Sequence, residues 1–463
     1  MTGSPWPITE APSEAAQPGP EAAQPGPEAA AALPRLLAGI AAHGAMRLDA
    51  HLALHGTLPL ERRRGRRAES PLIGRIERAG LGGRGGAGFP TATKLRAVAQ
   101  GRGRAIVVIN ATEGEPASEK DRTLATALPH LLLDGGQLAA AAVGAEELIV
   151  CVCESDPASL ASIATAIGER GRLHEPVQMN LTAVPSGYVA GQESALVNYL
   201  NGGPATPTFT PPLPFEQGVR RRRTLINNAE TLAHVALIAR HGSSWFRELG
   251  IPSQPGSALI TLSGPVAYPG VYEIEHGASL SSLLDAAGGT TADVRAALLG
   301  GYAGTWIDGR FLHGVALSDE HLAAHGASVG AGVVLLLSND ACPVAETARV
   351  ARWLAGESSR QCGPCINGLD ALARTVEEIA GGVADANAAQ RIARLSSLVR
   401  RRGACGHPDG AVNFITSALD TFAAEFADHA RHGPCDACGR PGELPLLRRG
   451  RDAGRPRDRV RSS

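Results

Sequence analysis

This sequence predicts a multi-domain α/β chain, and three observations carry the prediction. Apolar runs of helix and strand type alternate from about residue 72. After a linker at Gln254–Ser257 the pattern becomes short strands separated by turns, and from Cys342 it is nearly all helical. At 463 residues, the chain is also too long for one small core.

In chain order, residues 1–33 are a Pro/Ala/Glu/Gly tail with a tandem repeat, Glu14–Pro20 and Glu21–Pro27. That composition buries no core and predicts disorder. Residues 34–70 form a variable helical region ending near an arginine cluster, Glu61–Arg67, read as solvated surface. An α/β domain spans 71–253. Leu72, Ile73, Ile76 and Ala79 repeat at helical spacing, and Ala105–Asn110 reads as a buried strand. Pro129–Gly144 reads as a helix, Glu147–Cys153 as a strand, Pro157–Arg170 as a helix, and Asn227-Asn228-Ala-Glu as a helix start. Residues 254–340 fit a small mixed β domain with a helix at Leu280–Ala287 and a closing strand at Val333–Ser338. Residues 341–438 are helical, and 439–463 form a basic Pro/Gly tail predicted to be disordered.

A formal net charge of −1 provides no field suited to nucleic acid. No apolar run reaches the ~18 residues of a membrane span, and Met1–Glu14 has neither basic residues nor an apolar core of signal-peptide type. A cytoplasmic setting is therefore expected, in which eight cysteines point to buried, metal-binding or redox roles. Only two lysines occur, Lys94 and Lys120, and both fall in candidate motifs.

The most informative stretch is Gly80–Leu95. Gly83, Gly85, Gly86 and Gly88, with Arg84 among them, leave main-chain N–H groups open to a phosphate-bearing ligand. Phe89 and Pro90 stiffen the exit, and Lys94 adds a point charge. The run matches G-x-G-x-x-G, but a helical pattern precedes it where a dinucleotide fingerprint needs a strand.

Gly-Arg-Gly-Gly-Ala-Gly-Phe-Pro-Thr followed by a lysine resembles the hallmark loop of the flavoprotein subunit of respiratory complex I and of related NAD-linked hydrogenases and formate dehydrogenases. Four more ordered segments are similar to that family: Asn110–Arg122, Gly187–Leu196, Asn227–Leu232 and Glu357–Cys365. The resemblance implies an α/β flavin-binding domain, a soluble-ligand-binding β-grasp domain and a C-terminal helical bundle with an iron–sulfur site. It implies FMN, NAD(H) and a [4Fe-4S] cluster as cofactors, and NADH dehydrogenase-type oxidoreductase activity. By that resemblance Gly83, Arg84, Gly85, Gly86, Gly88, Phe89, Lys94, Asn110, Glu113, Glu115, Tyr188, Gly191, Glu193, Asn227 and Asn228 bind cofactor. No catalytic acid or base is expected, because the cofactor carries hydride transfer. The expected partners are a ferredoxin-like or two-iron carrier protein and a membrane-bound respiratory or reductase complex, which would hold the chain at the inner face of the membrane; no nucleic acid is expected.

The resemblance has gaps. Cys362, Cys365 and Cys405 match three cluster ligands, whereas the fourth position holds Ser359. Ligation by Ser359, recruitment of Cys342, Cys435 or Cys438, and a three-iron or absent cluster all stay open. A Cys₄ zinc site pairing Cys435 and Cys438 with Cys362 and Cys365 is a further alternative. On the nicotinamide side, Thr112 replaces an aspartate, Gln192 replaces a glutamate, and two expected aromatics and a lysine are absent. Phe209 and Phe215 lie nearby as candidate substitutes. A flavin and iron–sulfur relay that no longer uses nicotinamide, and a zinc-stabilised assembly subunit, are the alternative functions.

Overall fold

The computed structural model describes residues 6–7, 33–40, 45–60, 69–101, 103–173 and 175–446. The chain runs β1 (Trp6–Pro7), α1 (Leu48–His55), α2 (Pro71–Ala79), α3 (Thr91–Gln100), β2 (Ala105–Ala111), α4 (Lys120–Ala127), α5 (Pro129–Val143) and β3 (Ala145–Cys153). It continues through α6 (Pro157–Arg170), β4 (Gln178–Val184), α7 (Glu193–Leu200), β5 (Thr224–Asn228) and α8 (Ala229–Phe246).

Strands β4, β3, β2 and β5 form a parallel sheet in that order. β2 reads Ala-Ile-Val-Val-Ile-Asn-Ala because helices or loops cover both of its faces, leaving no solvated face to demand alternation. Full burial of Ile106, Val107, Val108 and Ile109 contributes about 1.5–3 kcal/mol for each large side chain. Helix α5 is buried on nearly every side, and it reaches α8 through Gly135. A Cβ there would lie 1.9 Å from the Leu232 carbonyl oxygen, so only glycine permits this approach.

Two short strands, β6 (Gly250–Ile251) and β7 (Gln254–Pro255), lead into a six-stranded sheet. It is ordered β1-β9-β8-β12-β10-β11, with β8 (Ser257–Ser263), β9 (Gly270–Glu275), β10 (Val294–Leu299), β11 (Thr305–Asp308) and β12 (Val333–Ser338). Helices α9 (Leu280–Ala286) and α10 (Asp319–Leu322) accompany it. The helical end comprises α11 (Pro343–Gly356), α12 (Leu369–Ala380), α13 (Ala388–Val399), α14 (His407–Thr421) and α15 (Ala423–His432).

Two expectations need correction and one is extended. Asn228 caps α8 as expected, its Oδ1 accepting the Glu230 N–H at 3.0 Å, and the same residues also end strand β5, which pairs with β2 and places Asn228 opposite Asn110. Within the tail expected to be disordered, Trp6–Pro7 pairs with Tyr272 and Glu273 of β9; residues 1–5 and 8–32 lie outside the described residues. The start of the basic tail is folded, because Leu444 is buried and Glu443 accepts hydrogen bonds from Ser338 N and Oγ at 3.1 and 2.5 Å. Residues 447–463 and the arginine cluster at 61–67 lie outside the described residues.

Candidate functional site

All four strands of the parallel sheet point their carboxyl ends the same way, and ligands bind at such an edge. The glycine loop between α2 and α3 sits there. It is closed at its base by the Gly83 N–H donating to Phe89 O (2.9 Å) and the Thr91 N–H donating to Leu81 O (3.0 Å). Gly86 and Gly88 adopt φ of 97° and 63°, which side chains disfavour. A Cβ on Gly85 would lie 3.5 Å from Asn228 Cβ, so the loop lies directly over the end of β5.

A cleft of ≈ 550 Å³ opens beside this loop. Its wall includes Arg84, Gly85 and Gly86 from the loop, Asn110, Glu113 and Glu115 after β2, Tyr188 and Gly191 before α7, and Asn228. Thus nine of the fifteen expected cofactor residues meet there. Gly83 and Gly88 instead face a second hollow of ≈ 540 Å³ that Arg84 and Gly86 also reach. Phe89 stands half-exposed on the loop. Lys94 pairs with Glu193, joining the first turns of α3 and α7, and its Nζ also donates to Ile226 O at 2.7 Å. Asn227 is buried, its Nδ2 has no hydrogen-bond partner, and it lines neither hollow.

Arg84 is turned inward. Its Nη2 donates to Ser257 O at 3.0 Å and its Nε lies 3.9 Å from Glu230, which ties the loop to the six-stranded sheet. A second basic residue of the cleft lining is Lys120, absent from the residues expected to bind cofactor. It is buried, 2.9 Å from Glu230 and 3.1 Å from Asp121. Burial alone would lower its pKa, but Asp121, Glu230 and Glu113 outweigh this and hold it charged. The lysine scarcity in the sequence was the signal for Lys120, whereas nothing local marked Gly330, Ala331 or His407 as cleft residues.

Glu113 accepts from Ser118 Oγ and from the N–H groups of Asp121 and Arg122 at 2.5, 3.2 and 3.0 Å. Burial, then repulsion from Asp121, raises its carboxyl to about 7. Glu115 accepts from Tyr302 N at 2.9 Å and Tyr188 OH at 3.3 Å, and burial raises it likewise to about 7. Both groups are therefore half-protonated near neutrality.

The other wall is thiol-bearing: Cys405, Gly406 and His407 line the same cleft. Cys365 is buried in a π-helical turn, Pro364–Gly368, of the kind often found at functional sites. Burial, followed by the neighbouring Cys362 thiol and then Cys405, pushes the Cys365 thiol up to about 12. Ser359 is half-buried, and beside it Ser358 Oγ is buried without a partner. Cys342, Cys435 and Cys438 do not join this group. They meet around His429, which removes the Cys₄ zinc alternative because Cys435 and Cys438 already have other neighbours.

The nicotinamide-side departures also have structural answers. Thr112 Oγ1 donates to Asn110 Oδ1 at 2.6 Å, and Gln192 Oε1 caps α7 by accepting from Ser194 N and Ala195 N. Phe215 packs against the main hydrophobic core and so is no replacement ring, while Phe209 is exposed.

A cleft at the carboxyl edge of a parallel sheet, with a glycine loop on one side and Cys405 on the other, is the kind of site a cofactor-dependent electron-transfer protein presents. Residues 76–237 match the Nuo51 FMN-binding domain, 259–301 the SLBB domain, and 345–429 the NADH-ubiquinone oxidoreductase-F iron-sulfur binding region. The chain is 31% identical over 419 residues to the second F-type subunit of NADH-quinone oxidoreductase in Rhizobium meliloti, covering 87% of this chain and 99% of that protein. It is 32% identical to the F-type subunit of NADH-quinone oxidoreductase in Streptomyces coelicolor, over 80% of this chain and 85% of that one. A solved NAD⁺-reducing [NiFe]-hydrogenase superposes with a TM-score of 0.74 at 33% identity, over 81% of this chain and 65% of that chain. The chain therefore belongs to the family of F-type subunits of NADH-quinone oxidoreductase, with FMN-binding and iron–sulfur regions in one polypeptide. Among the described residues, no helix is long and apolar enough to cross a membrane.

Proposed function

We propose that this chain oxidises NADH using FMN bound in the cleft and a cluster bound by Cys362, Cys365 and Cys405, and delivers the electrons to a separate two-iron or ferredoxin-like carrier. Residues 71–253 then serve as the flavin-binding domain, 254–340 as the β-grasp domain and 341–438 as the cluster-bearing domain. The observation that carries this reading is the shared wall: Cys405 and Gly406 line the same cleft as Gly85, Gly86 and Asn110.

A flavin held in the cleft would supply two-electron hydride chemistry, and a cluster held by Cys362, Cys365 and Cys405 would supply one-electron chemistry. The protein's own tasks are binding and exclusion of water. The Gly85–Gly86 backbone on the cleft wall allows a flat ligand to approach closely. Asn110 is held rigid by the Gly191 carbonyl, to which its Nδ2 donates at 2.8 Å. Lys120 offsets the Asp121 and Glu230 carboxylates beside the cleft, and the protonated fraction of Glu113 and Glu115 lowers its negative charge further, so that the cleft does not repel an anionic nucleotide. The partner belongs to a complex of complex I or NAD-reducing hydrogenase type.

Anaerobic purification with counts of flavin, iron and labile sulfide, followed by NADH and NADPH titration, tests the proposal. Bleaching of bound flavin by NADH is expected. The packing of half-buried Phe215 against the core, away from the cleft lining, supports a second reading, a relay without nicotinamide. Bound flavin that dithionite or reduced ferredoxin bleaches, but neither nucleotide does, selects that reading. Protein that takes up no flavin overturns both.

A further inference from the structure

Away from the cleft, Cys342, His429, Cys435 and Cys438 bring one ligand atom each to a common point, all within 4.8 Å of one another. The four come from distant places. Cys342 is the N-cap of α11, His429 lies in the last turns of α15, and Cys435 and Cys438 flank a short turn beyond it. Cys342 Sγ is 3.4 Å from both His429 Nε2 and Cys438 Sγ, and Cys438 Sγ is 3.7 Å from Cys435 Sγ and 3.8 Å from His429 Nε2. A tetrahedral zinc ion with bonds of about 2.3 Å to sulfur and about 2.0 Å to nitrogen spaces its ligands about 3.5–3.8 Å apart. The observed separations already match that spacing. They are too long for a disulfide, whose sulfurs bond at about 2.05 Å.

From this arrangement we infer that Cys342, His429, Cys435 and Cys438 form a structural zinc site, separate from both the flavin cleft and the Cys362, Cys365 and Cys405 group. Three thiolates and an imidazole in tetrahedral array select zinc by softness and geometry, and four protein ligands leave no position open for substrate. The ligands are themselves held in place: His429 Nδ1 faces Ala380 O at 3.3 Å, so it carries the proton and leaves Nε2 for the metal. The Ala345 N–H donates to Cys342 Sγ at 3.3 Å. Three of the four ligands lie outside the 345–429 iron-sulfur segment.

The site has a mechanical purpose. Immediately after Cys438 the chain docks across two units. Glu346 accepts from the N–H groups of Glu443 and Leu444, Glu443 accepts from Ser338 at the end of β12, and Tyr302 OH donates to Pro445 O at 2.5 Å. An ion at the root of this segment fixes it as a clasp between the six-stranded sheet and the helical end.

The test is metal analysis of anaerobically purified full-length chain beside a Cys435→Ser/Cys438→Ser double variant. About one zinc per wild-type chain is expected, falling at least tenfold in the variant, with flavin and iron per chain unchanged. Cobalt(II) replacing zinc in the wild type should give intense tetrahedral d–d bands and thiolate charge-transfer absorption, which keeps the proposal open to refutation if the variant fails to fold. Loss of iron together with the two thiols would overturn it, by showing that they serve the cluster. Wild-type protein with neither zinc as purified nor a tetrahedral cobalt spectrum would overturn it as well.

Discussion

Glu115 illustrates how much one carboxylate can join. Its loop follows β2, its oxygens accept from Tyr188 OH and Tyr302 N, and Tyr188 packs edge-on against Trp353 and His407. Gly301 makes room for it: at φ of 84°, a Cβ there would lie 2.6 Å from Glu115 Oε2. Gly301→Ala is therefore expected to cost about 1–3 kcal/mol from the backbone alone, and to lower both melting temperature and flavin content, measured by calorimetry and absorbance. With its carboxyl at about 7, Glu115 gains charge as pH rises through neutrality. The KM for NADH should then rise about three- to tenfold from pH 6 to pH 8, and Glu115→Gln should flatten that profile. An unchanged slope in the variant would assign the dependence elsewhere.

At the scale of elements, long and strongly patterned segments were legible in the sequence. The spans of α6 and β12 agree with their expected limits because caps, flanking turns and apolar runs all pointed the same way. Strands β4 and β5 were not legible. β4 is an edge strand with mixed polar residues, and β5 is five residues long behind four arginines, so neither has a period to read. The site was legible wherever chemistry was concentrated in a motif, as in the glycine loop. It was illegible where a wall is built by docking, as with Gly330, Ala331 and His407, or where Cys342 meets residues almost a hundred positions away. The α5–α8 contact gives an element-scale expectation. Gly135→Ala must push the helices apart at Leu232 O, with a loss of about 1–3 kcal/mol or more, read as a lower denaturation midpoint with unchanged m-value.

For the whole molecule, the two raised carboxyls link stability to pH. Glu113 and Glu115 sit at about 7 when folded against an ordinary 4.5. Below about pH 4.5 both are protonated in either state, so their contribution to stability is fully present; it is lost as pH rises through 7, where the fold must hold two buried charges. The melting temperature of flavin-free protein should accordingly fall between about pH 5 and pH 8, and the fall should shrink in a Glu113→Gln/Glu115→Gln variant.

The shared wall of the cleft also has a consequence for biogenesis. Cys405 and His407 line the cleft, so under the proposed function the flavin pocket is complete only when the thiol-bearing end has taken its final shape. Maturation thus acquires a direction: building the iron site first perfects the flavin pocket, and linkage requires that flavin in turn favour the built iron site. Flavin affinity becomes a gauge of cluster insertion, and Cys365→Ser protein should bind FMN measurably more weakly even though Cys365 lies outside the cleft wall.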